Sequence, residues 1–320
     1  MKKGCEAPMI RLGAPAAVNN PLAKDLRRDY QLYIMLFPAI ALFLIFSYVP
    51  MTGLVIAFKE YRIGQGMYGG KEWVGMAHFV KLSKDLFFRR AVINSLIIAV
   101  LRIAVCLPGA VTLALMLSEV RNRAFKGVIQ TLVYIPRFLS WIIVAAFAIT
   151  LLNPDQGINL LLKGAGFGTV TLSNQGQFRW VVVLSDLWKD VGFNSVLFTA
   201  AIMAIDPALY ESAEMDGANR FHKITRVTLP MIRNTIVIVL VLWAGVIVNV
   251  GFDQVFNMYN PAVYATGDII DTYIYRIAFG GTSQKFSFAA AAGLFKSVVA
   301  IVLLSAAELF ARSIGESALF

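Results

Sequence analysis

A stripe of amide and carboxyl side chains is the first group in the sequence whose spacing could do chemistry. Asn249, Asp253 and Asn257 recur every four residues, which places them on one face of a predicted helix. Phe252 and Phe256 adjoin that face. Sugar hydroxyls need paired donors and acceptors, and sugar C–H faces pack against aromatic rings, so the mixture suits a carbohydrate cavity. The alternative is a packing surface between helices, with the asparagines as hydrogen-bonding partners.

The other residues that could bind a metal or a nucleotide lack the spacing that such chemistry requires. His78 and His222 are the histidines of the chain, and the predicted membrane spans place them on opposite sides of the bilayer. The glycine and lysine run at 69–71 lacks the upstream glycine and the following hydroxyl of a phosphate-binding loop. We therefore expect no catalytic residue, no metal site and no cofactor bound by this chain.

The composition places the chain in a lipid bilayer. Of 320 residues, 58% are hydrophobic and 15% are charged, and the mean hydropathy is +0.69, which does not fit a water-exposed surface. The formal charge of +10 would suggest nucleic acid as the partner of a soluble protein, but here the cations mostly flank apolar runs. Cys5 lies in a polar tail and Cys106 in an apolar run, so neither a disulfide framework nor a thiolate metal site is expected.

The apolar runs predict an all-α membrane protein, a six-helix bundle in one transmembrane domain at 31–320. The run between Asp29 and Lys59 carries no charge and, at about 1.5 Å per residue, is long enough to cross a bilayer. Residues 1–30 are expected to form a flexible cytoplasmic tail. The spans are predicted at about residues 33–58, 91–118, 127–152, 180–204, 231–257 and 286–309, with a cytoplasmic loop at 205–233.

The orientation follows from the lysines and arginines outside the spans. The short loop between the second and third spans holds Arg121, Arg123 and Lys126, and short cationic loops stay in the cytoplasm. An even number of spans puts both termini on one side. We therefore expect a multi-pass protein of the cytoplasmic (inner) membrane with both termini inside.

Charged side chains within the spans are expected to be structural, because a charge in the bilayer is costly unless it is paired or hydrated. Arg102 and Lys296 lie at mid-span, and for Lys296 a structural and a functional role are both open. Asp186 and Lys189 are three positions apart on one helix and are predicted to neutralise one another. Arg137 is predicted to extend towards the cytoplasmic interface.

The loop between the fourth and fifth spans is organised as two short helices. Asp206 can cap a helix whose first residue is Pro207, because proline lacks a donor that would be unpaired there. This helix should end near Met215 and break at Gly217, which can take a left-handed conformation. Asn219 is a second cap. An interfacial linker that packs on its own bundle is one interpretation of this pattern.

The amino-acid sequence of this loop favours a more specific interpretation. The run from Glu211 to Ala218, continued through Phe221 to Leu229 and Pro230, resembles the EAA loop of permease subunits from binding-protein-dependent ABC importers. Ser212 stands where the family usually has Ala, which keeps a small residue. The resemblance assigns contact with the ATPase to the following residues: Glu211, Ala213, Asp216, Gly217, Ala218, Phe221, Leu229 and Pro230.

Other segments resemble the sugar-importing branch of that family. The run 186–194 is similar to the span that precedes the EAA loop in sugar permeases, and 153–159 to their external turn after the third span. Residues 48–53, 56–61 and 73–75 are similar to the subgroup that imports fragments of pectin or alginate. In such importers the helix after the EAA loop helps to line the cavity. The substrate pathway is therefore predicted to include Asn194, Asn249, Phe252, Asp253 and Phe256.

The resemblance implies an assembly of which this chain is one part. The partners would be a second, related permease, two ATPase subunits, an extracytoplasmic solute-binding protein and an oligosaccharide, with membrane lipid around them and no nucleic acid. The cationic chain is compatible with an acidic oligosaccharide but does not require one. ATP and magnesium would be bound by the partner ATPase, and this chain would hydrolyse nothing. An ion-coupled secondary transporter for a small polar solute is the alternative. An intramembrane enzyme would need a paired nucleophile and base, which the sequence lacks.

Overall fold

The computed structural model describes residues 29–61, 64, 72–246, 251–280 and 285–313. Within these residues the regular structure is helical, apart from one isolated bridge between Lys59 and Trp73, which confirms the all-α prediction. The main helices are α1 (Tyr30–Phe58), α2 (Ala77–Lys84), α3 (Leu86–Glu119), α4 (Arg123–Phe138), α5 (Trp141–Leu151), α6 (Gly157–Gly164), α7 (Gln175–Met203), α8 (Pro207–Met215), α9 (Arg220–Met231), α10 (Arg233–Val246), α11 (Phe252–Met258), α12 (Tyr264–Gly267), α13 (Ile270–Phe279) and α14 (Phe286–Ser313).

Three of these helices, α1, α3 and α14, are long and apolar enough to cross a membrane alone. Three bent pairs also qualify if each pair is counted as one span, which gives up to six among the described residues. The pairs are α4 with α5, α7 with α8 and α9 with α10. Most of the predicted tail at 1–30 lies outside the described residues.

The contacts divide the chain into a unit that ends at Gly53 and a unit that begins at Leu54. Within the first unit, the described part of α1 has no buried residue. Such a helix is apolar on every side, which suits lipid or another apolar partner. It widens into a π turn at Leu44–Tyr48, directly before Val49 and Pro50. Proline lacks a donor and displaces the carbonyl four residues before it, so a wider turn relieves the clash.

In the second unit, α3 and α7 run side by side in the same direction. Near their N-terminal ends, Arg179 donates to Asn94 Oδ1 at 2.7 Å. Further along both helices, Arg102 donates to Asp186 Oδ1 at 2.7 Å. Their C-terminal halves pack into one apolar cluster with the start of α10, which includes Leu107, Ala110, Ala114, Phe198, Ile202 and Ile232.

This parallel arrangement separates two ends of the bundle. The α7–α8 turn lies at the C-terminal end of α3 and α7, and α2 adjoins the N-terminal end of α3. Because α3 has 34 residues, the two ends are about 50 Å apart at about 1.5 Å per residue.

The run 127–152, predicted as the third span, is divided into two helices. The axes of α4 and α5 differ by 101°. Pro136 lies in a closing 3₁₀ turn, Leu139 is extended, and Ser140 caps α5 by accepting from the Ile143 amide at 3.4 Å. The proline and the new cap together explain the break, because each marks a helix boundary.

Residues 231–257, predicted as the fifth span, do not form one continuous helix. Helix α10 ends at Val246, and α11 begins at Phe252 after Gly251, whose φ is +120°. A side chain at Gly251 would approach Arg102 Nη1 at 2.9 Å, so the close approach of this backbone also requires glycine. Asn249 lies outside the described residues, so the described part of the stripe consists of Asp253 and Asn257 on α11.

Candidate functional site

Helix α8, the turn at Gly217 and α9 form a bent pair that we name the elbow (residues 207–231). The Asp206 side chain accepts from the Ala208 amide at 2.9 Å, ahead of Pro207. Gly217 has a φ of +74°. The Asn219 side chain accepts from the His222 amide at 2.9 Å and starts α9. These features confirm the predicted caps and the predicted break.

The two arms of the elbow are braced against each other. The hydroxyls of Tyr210 and Thr228 are 3.0 Å apart, and Lys223 forms an ion pair with Glu214. The hydrogen bond and charge of Lys223 lower the pKa of the Glu214 carboxyl below its usual value. A π turn at Ile224–Thr228 precedes Pro230, as the π turn in α1 precedes its proline. The elbow is therefore a defined structure and not an irregular linker.

The elbow is joined to the bundle on one side and open on the other. Tyr210 and Leu229 pack against the apolar cluster of α3, α7 and α10. Met215 is 89% exposed and Phe221 is 69% exposed. Of the predicted coupling residues, Glu211, Asp216, Gly217, Phe221 and Pro230 are exposed, while Ala213, Ala218 and Leu229 are half-buried. The tip of the elbow therefore presents two large apolar side chains to its surroundings.

A buried group at mid-bundle, which we name the polar clamp (Arg102, Asp186 and Gln254), ties three helices together. Arg102 donates to Asp186 at 2.7 Å and to Gln254 Oε1 at 2.5 Å. Gln254 Nε2 donates to the Val182 carbonyl at 2.7 Å and to Ser185 Oγ at 2.8 Å. All three members of the clamp are buried. Their hydrogen bonds and opposite charges compensate for the burial.

The clamp corrects the sequence prediction for Asp186, whose partner is Arg102 and not Lys189. The cause is the side-chain direction on α7: Lys189 Nζ donates to the Arg137 carbonyl at 2.9 Å and lies 5.2 Å from the Trp141 ring centroid. Lys189 thereby holds the α4–α5 bend. Arg137 forms an ion pair with Asp190 at 2.8 Å, a partner that the sequence analysis missed.

Lys296, the other mid-span cation, is also paired. Its Nζ donates to both carboxyl oxygens of Asp271, at 2.6 and 2.8 Å. Asp271 lies in the first turn of α13, and Lys296 lies in α14. This ion pair joins the last two helices and supports a structural role for the lysine.

The predicted substrate residues of α11 lie together on a partly accessible face. The rings of Phe252 and Phe256 stack with centroids 5.2 Å apart. Asp253 is exposed, and Asn257 Nδ2 donates to its carbonyl at 2.6 Å. Asn194 is half-buried on α7, and no hydrogen bond among the described residues joins it to α11. The structure thus brings the α11 residues together, and among the described residues Asn194 shares no hydrogen bond with them.

Aromatic residues that the sequence analysis did not select extend this face. Phe256 contacts Tyr275 of α13 at 4.8 Å and Tyr259 at 6.1 Å between centroids. Tyr259 contacts Tyr264 at 5.1 Å, and the Arg276 guanidinium lies 4.6 Å from the Tyr264 centroid. The high proportion of aromatic residues in 252–279 is a sequence signal for these rings. Their contacts with one another depend on the packing of the helices. In the described part of the chain, no group of three or more His, Cys, Asp or Glu side chains could hold a metal ion.

Comparison with known proteins identifies a family and several similar proteins. The family described as the inner membrane component of binding-protein-dependent transport systems matches residues 107–316. The protein LplB of Bacillus subtilis (strain 168) is 39% identical over 297 residues, which cover 92% of each chain. The polygalacturonan/rhamnogalacturonan transport system permease protein YteP of the same organism is 38% identical over 301 residues, covering 93% of this chain and 92% of YteP.

Two solved structures are also similar. A chain of a bacterial ABC transporter involved in the import of the acidic polysaccharide alginate is 42% identical, with a TM-score of 0.83, and the match covers 92% of this chain and 99% of that one. A chain of the bacterial alginate ABC transporter in complex with an alginate pentasaccharide-bound periplasmic protein is likewise 42% identical, with a TM-score of 0.84, covering 93% and 99%.

Proposed function

The chain belongs to the family of inner-membrane components of binding-protein-dependent transport systems, and from that premise we propose that it forms half of the membrane channel through which an ABC importer moves a polysaccharide-derived oligosaccharide. The permeases and transporters to which it is similar carry names that include polygalacturonan, rhamnogalacturonan and alginate. The stacked rings of Phe252 and Phe256 beside the exposed Asp253 suit a sugar, which offers both C–H faces and hydroxyls.

The partners in this proposal are those of a complete importer. A second, related permease would complete the channel, two ATPase subunits would supply energy, and an extracytoplasmic solute-binding protein would deliver the sugar. ATP and magnesium would be bound by the ATPase subunits. In the similar alginate transporter, a pentasaccharide-bound periplasmic protein is part of the complex.

The observation that carries the proposal is the elbow, which is rigidly capped, joined to the bundle and exposed at its tip. Met215 and Phe221 would seat in a cleft of an ATPase subunit, with Glu211 and Asp216 beside them. Movement of that subunit would reach α3, α7 and α10 through Tyr210 and Leu229, which pack on their common cluster. Closure of the ATPase pair would then turn the bundle between inward-open and outward-open states.

The same contact sets the orientation. An elbow that meets a cytoplasmic ATPase lies at the inner membrane face, so both termini lie in the cytoplasm. The N-terminal end of α3 then lies at the outer face, about 50 Å away by the length of the helix. The pathway between these ends would run past Phe252, Asp253 and Phe256, with Asn194 and Asn249 as further contributors.

The buried carboxylates argue against the ion-coupled alternative. A proton or sodium path needs carboxylates that change partners during transport. Among the described residues, Asp186, Asp268 and Glu308 are the buried carboxylates, and each is bonded to an arginine: Arg102, Arg276 and Arg312, respectively. Each buried carboxylate thus already has a cationic partner, as in a structural ion pair.

The experiment compares two glycines that have the same backbone conformation at opposite ends of the bundle. Gly217 (φ +74°) and Gly166 (φ +78°) both have open space around an added Cβ. Alanine at such a φ costs about 1–2 kcal/mol, whereas asparagine tolerates it. In the whole complex reconstituted in liposomes, we expect Gly217→Ala to lower ATP-driven uptake about tenfold, while Gly217→Asn and Gly166→Ala keep most of it.

The ATPase subunits should still co-purify with the Gly166→Ala complex and should be partly lost from a Gly217→Ala, Phe221→Ala complex. Full uptake and full retention of the ATPase subunits in that double variant would show that the elbow is not the coupling contact.

A further inference from the structure

A cavity of about 1020 Å³ opens at the N-terminal end of α3. Its wall combines the segment after α1, helix α2, helix α13 and the start of α14. This volume is at the upper end of the range of about 300–1,000 Å³ for small-molecule sites. We name it the basic cavity because lysine and arginine side chains outnumber carboxylates in its lining.

The charges that line the basic cavity do not balance. Lys81, Lys84, Lys285 and Arg276 contribute cations, against the carboxylates of Glu60 and Asp85. Arg276 is already neutralised, since it donates to Asp268 at 2.5 and 3.1 Å. The three lysines are exposed, and no ion pair among the described residues engages them. Their ammonium groups are available to an anion that enters the cavity.

The two carboxylates of the lining are outnumbered by the three lysines, and one of the two is engaged as a helix cap. Asp85 accepts from the Phe88 amide at 3.0 Å and so caps α3. Lys81 and Lys84 lie in the last turn of α2, where the helix dipole favours cations. The positive charge therefore comes from the lysine side chains of α2 and of the residue before α14, and a concave space concentrates the field of such charges.

Aromatic rings also line the basic cavity and give it apolar surface beside the lysines. Tyr61, Phe87, Tyr264 and Phe288 contribute to its lining. Tyr264 also begins a series of ring contacts that passes through Tyr259 and Phe256 to Phe252, with centroids 5.1, 6.1 and 5.2 Å apart. The cavity wall is thus continuous with the α11 residues that we assign to the substrate pathway.

We propose that the basic cavity is an outer binding site for an oligosaccharide that carries carboxylates, such as a chain of uronic acids. Lys81, Lys84 and Lys285 bind the carboxylates, and the aromatic rings pack against the sugar faces. This site rests on the proposed function, which places the N-terminal end of α3 outside the membrane. It adds to that function a preference for acidic sugars that the α11 residues do not provide.

A concave, aromatic-lined space favours a flexible sugar chain over the acidic surface of a docked protein. A protein surface would engage lysines on a rim and would leave the aromatic lining uncovered, whereas a sugar uses both groups at once. The solute-binding protein is nevertheless the rival occupant, and the experiment separates the two.

The experiment uses the whole complex in lipid nanodiscs, without the solute-binding protein. Binding of a uronate tetrasaccharide is compared with that of the same tetrasaccharide after methyl esterification of its carboxylates. The variant is Lys81→Gln, Lys84→Gln, Lys285→Gln, and the control is Lys163→Gln. Lys163 is an exposed lysine at the same end of the bundle, and its partner Asp155 lies outside the cavity.

We expect the triple variant to bind the acidic tetrasaccharide about tenfold more weakly, because three partly exposed charge contacts are lost. Lys163→Gln should leave the affinity for the acidic tetrasaccharide unchanged. The methyl ester should bind weakly to the triple variant and to Lys163→Gln. Equal affinities of the wild type and the triple variant for the acidic sugar would overturn the proposal. So would a triple variant that loses affinity for the solute-binding protein alone.

A neutral oligosaccharide separates this inference from the proposed function. If the transporter accepts such a sugar in liposomes, the triple variant should import it at the wild-type rate. Absence of ATP-driven uptake of any oligosaccharide by the wild-type complex would contradict the proposed function. Normal uptake with an unaltered preference for acidic sugars in the triple variant would contradict the basic cavity alone.

Discussion

The elbow and the polar clamp are built in opposite ways, although the same helix, α7, serves both. The elbow is exposed, and its caps join residues two or three positions apart, such as Asp206 with Ala208. The clamp is buried, and Arg102 reaches partners 84 and 152 positions away in the sequence. A contact surface made from local bonds keeps its shape while it moves against a partner. A clamp made from distant helices fixes the bundle so that it turns as one body.

The two regions also differ in what a lost contact should cost. A buried ion pair that loses one partner leaves an uncompensated charge, whereas an exposed residue that loses a partner is rehydrated. Perturbation of the clamp should therefore reduce stability, and perturbation of the elbow should reduce coupling with little change in stability.

The largest effect is expected for Asp186→Ala. This change leaves the Arg102 guanidinium buried with Gln254 as its remaining clamp partner, and it should lower the free energy of unfolding by about 3–5 kcal/mol. Chemical denaturation of the complex in detergent measures the change. Asp216→Ala, an equivalent change in the exposed elbow, should stay within about 0.5 kcal/mol.

The double variant Arg102→Met, Asp186→Asn tests the cause of that loss. Both charges are removed and each new side chain is close in volume to the one that it replaces, so most of the stability lost in Asp186→Ala should return. A double variant as unstable as Asp186→Ala would show that the cost arises from packing and not from the charge.

A second, smaller effect is expected where α7 meets α4. A Cβ at Gly192 would lie 2.0 Å from the Val133 carbonyl oxygen, so Gly192→Ala must push the helices apart and should cost about 1–3 kcal/mol. Gly127 lies in α4 with nothing within 4 Å of an added Cβ. Gly127→Ala should therefore stabilise the protein by up to about 1 kcal/mol through helix propensity. Opposite signs in the same denaturation experiment would confirm the close approach, and equal signs would contradict it.

The sequence predicted the elbow well and the clamp poorly, for a physical reason. The caps at Asp206 and Asn219 and the left-handed Gly217 are local signals, because each residue type satisfies backbone groups within one helical turn. The partner of Asp186 depends on how two parallel helices pack. Spacing along one helix therefore suggested Lys189, three residues away, and missed Arg102.

The substrate region shows the same limit. The four-residue spacing of Asp253 and Asn257 correctly indicated a helix at α11, but the break at Gly251 follows from its approach to Arg102, which lies in another helix. The basic cavity has no sequence signature, since Lys81 and Lys285 meet only through the packing of α2 and α14 at one end of the bundle. Helices and their caps could be predicted from the sequence, whereas contacts between residues distant in the sequence could not.

A third prediction concerns the second cap of the elbow. Asn219→Ala removes the acceptor for the His222 amide and should cost about 1 kcal/mol of local stability in α9. Hydrogen exchange of residues 220–228 in the whole complex should accelerate about fivefold. Asn219→Asp keeps the acceptor and should keep the slow exchange. Fast exchange in both variants would show that the amide side chain has another role.

The smallest effect is expected for Glu214→Gln, which removes the ion pair with Lys223 between the arms of the elbow. In the folded protein, Lys223 holds the pKa of Glu214 below its ordinary value of 4.5, so the contribution of the pair is present above that pH and is lost as the pH falls through the lowered pKa. A nitroxide spin label at Met215→Cys, in a chain without its native cysteines, reports the mobility of the tip.

We expect this label to gain mobility as the pH falls through the lowered pKa of Glu214, and to be equally mobile at all pH values after Glu214→Gln. Glu211→Gln, one helical turn earlier and without an ion pair among the described residues, should retain the pH dependence. If mobility is independent of pH in every protein, the brace does not limit the motion of the tip. The caps alone would then give the elbow its shape, which would make the contrast with the buried clamp sharper still.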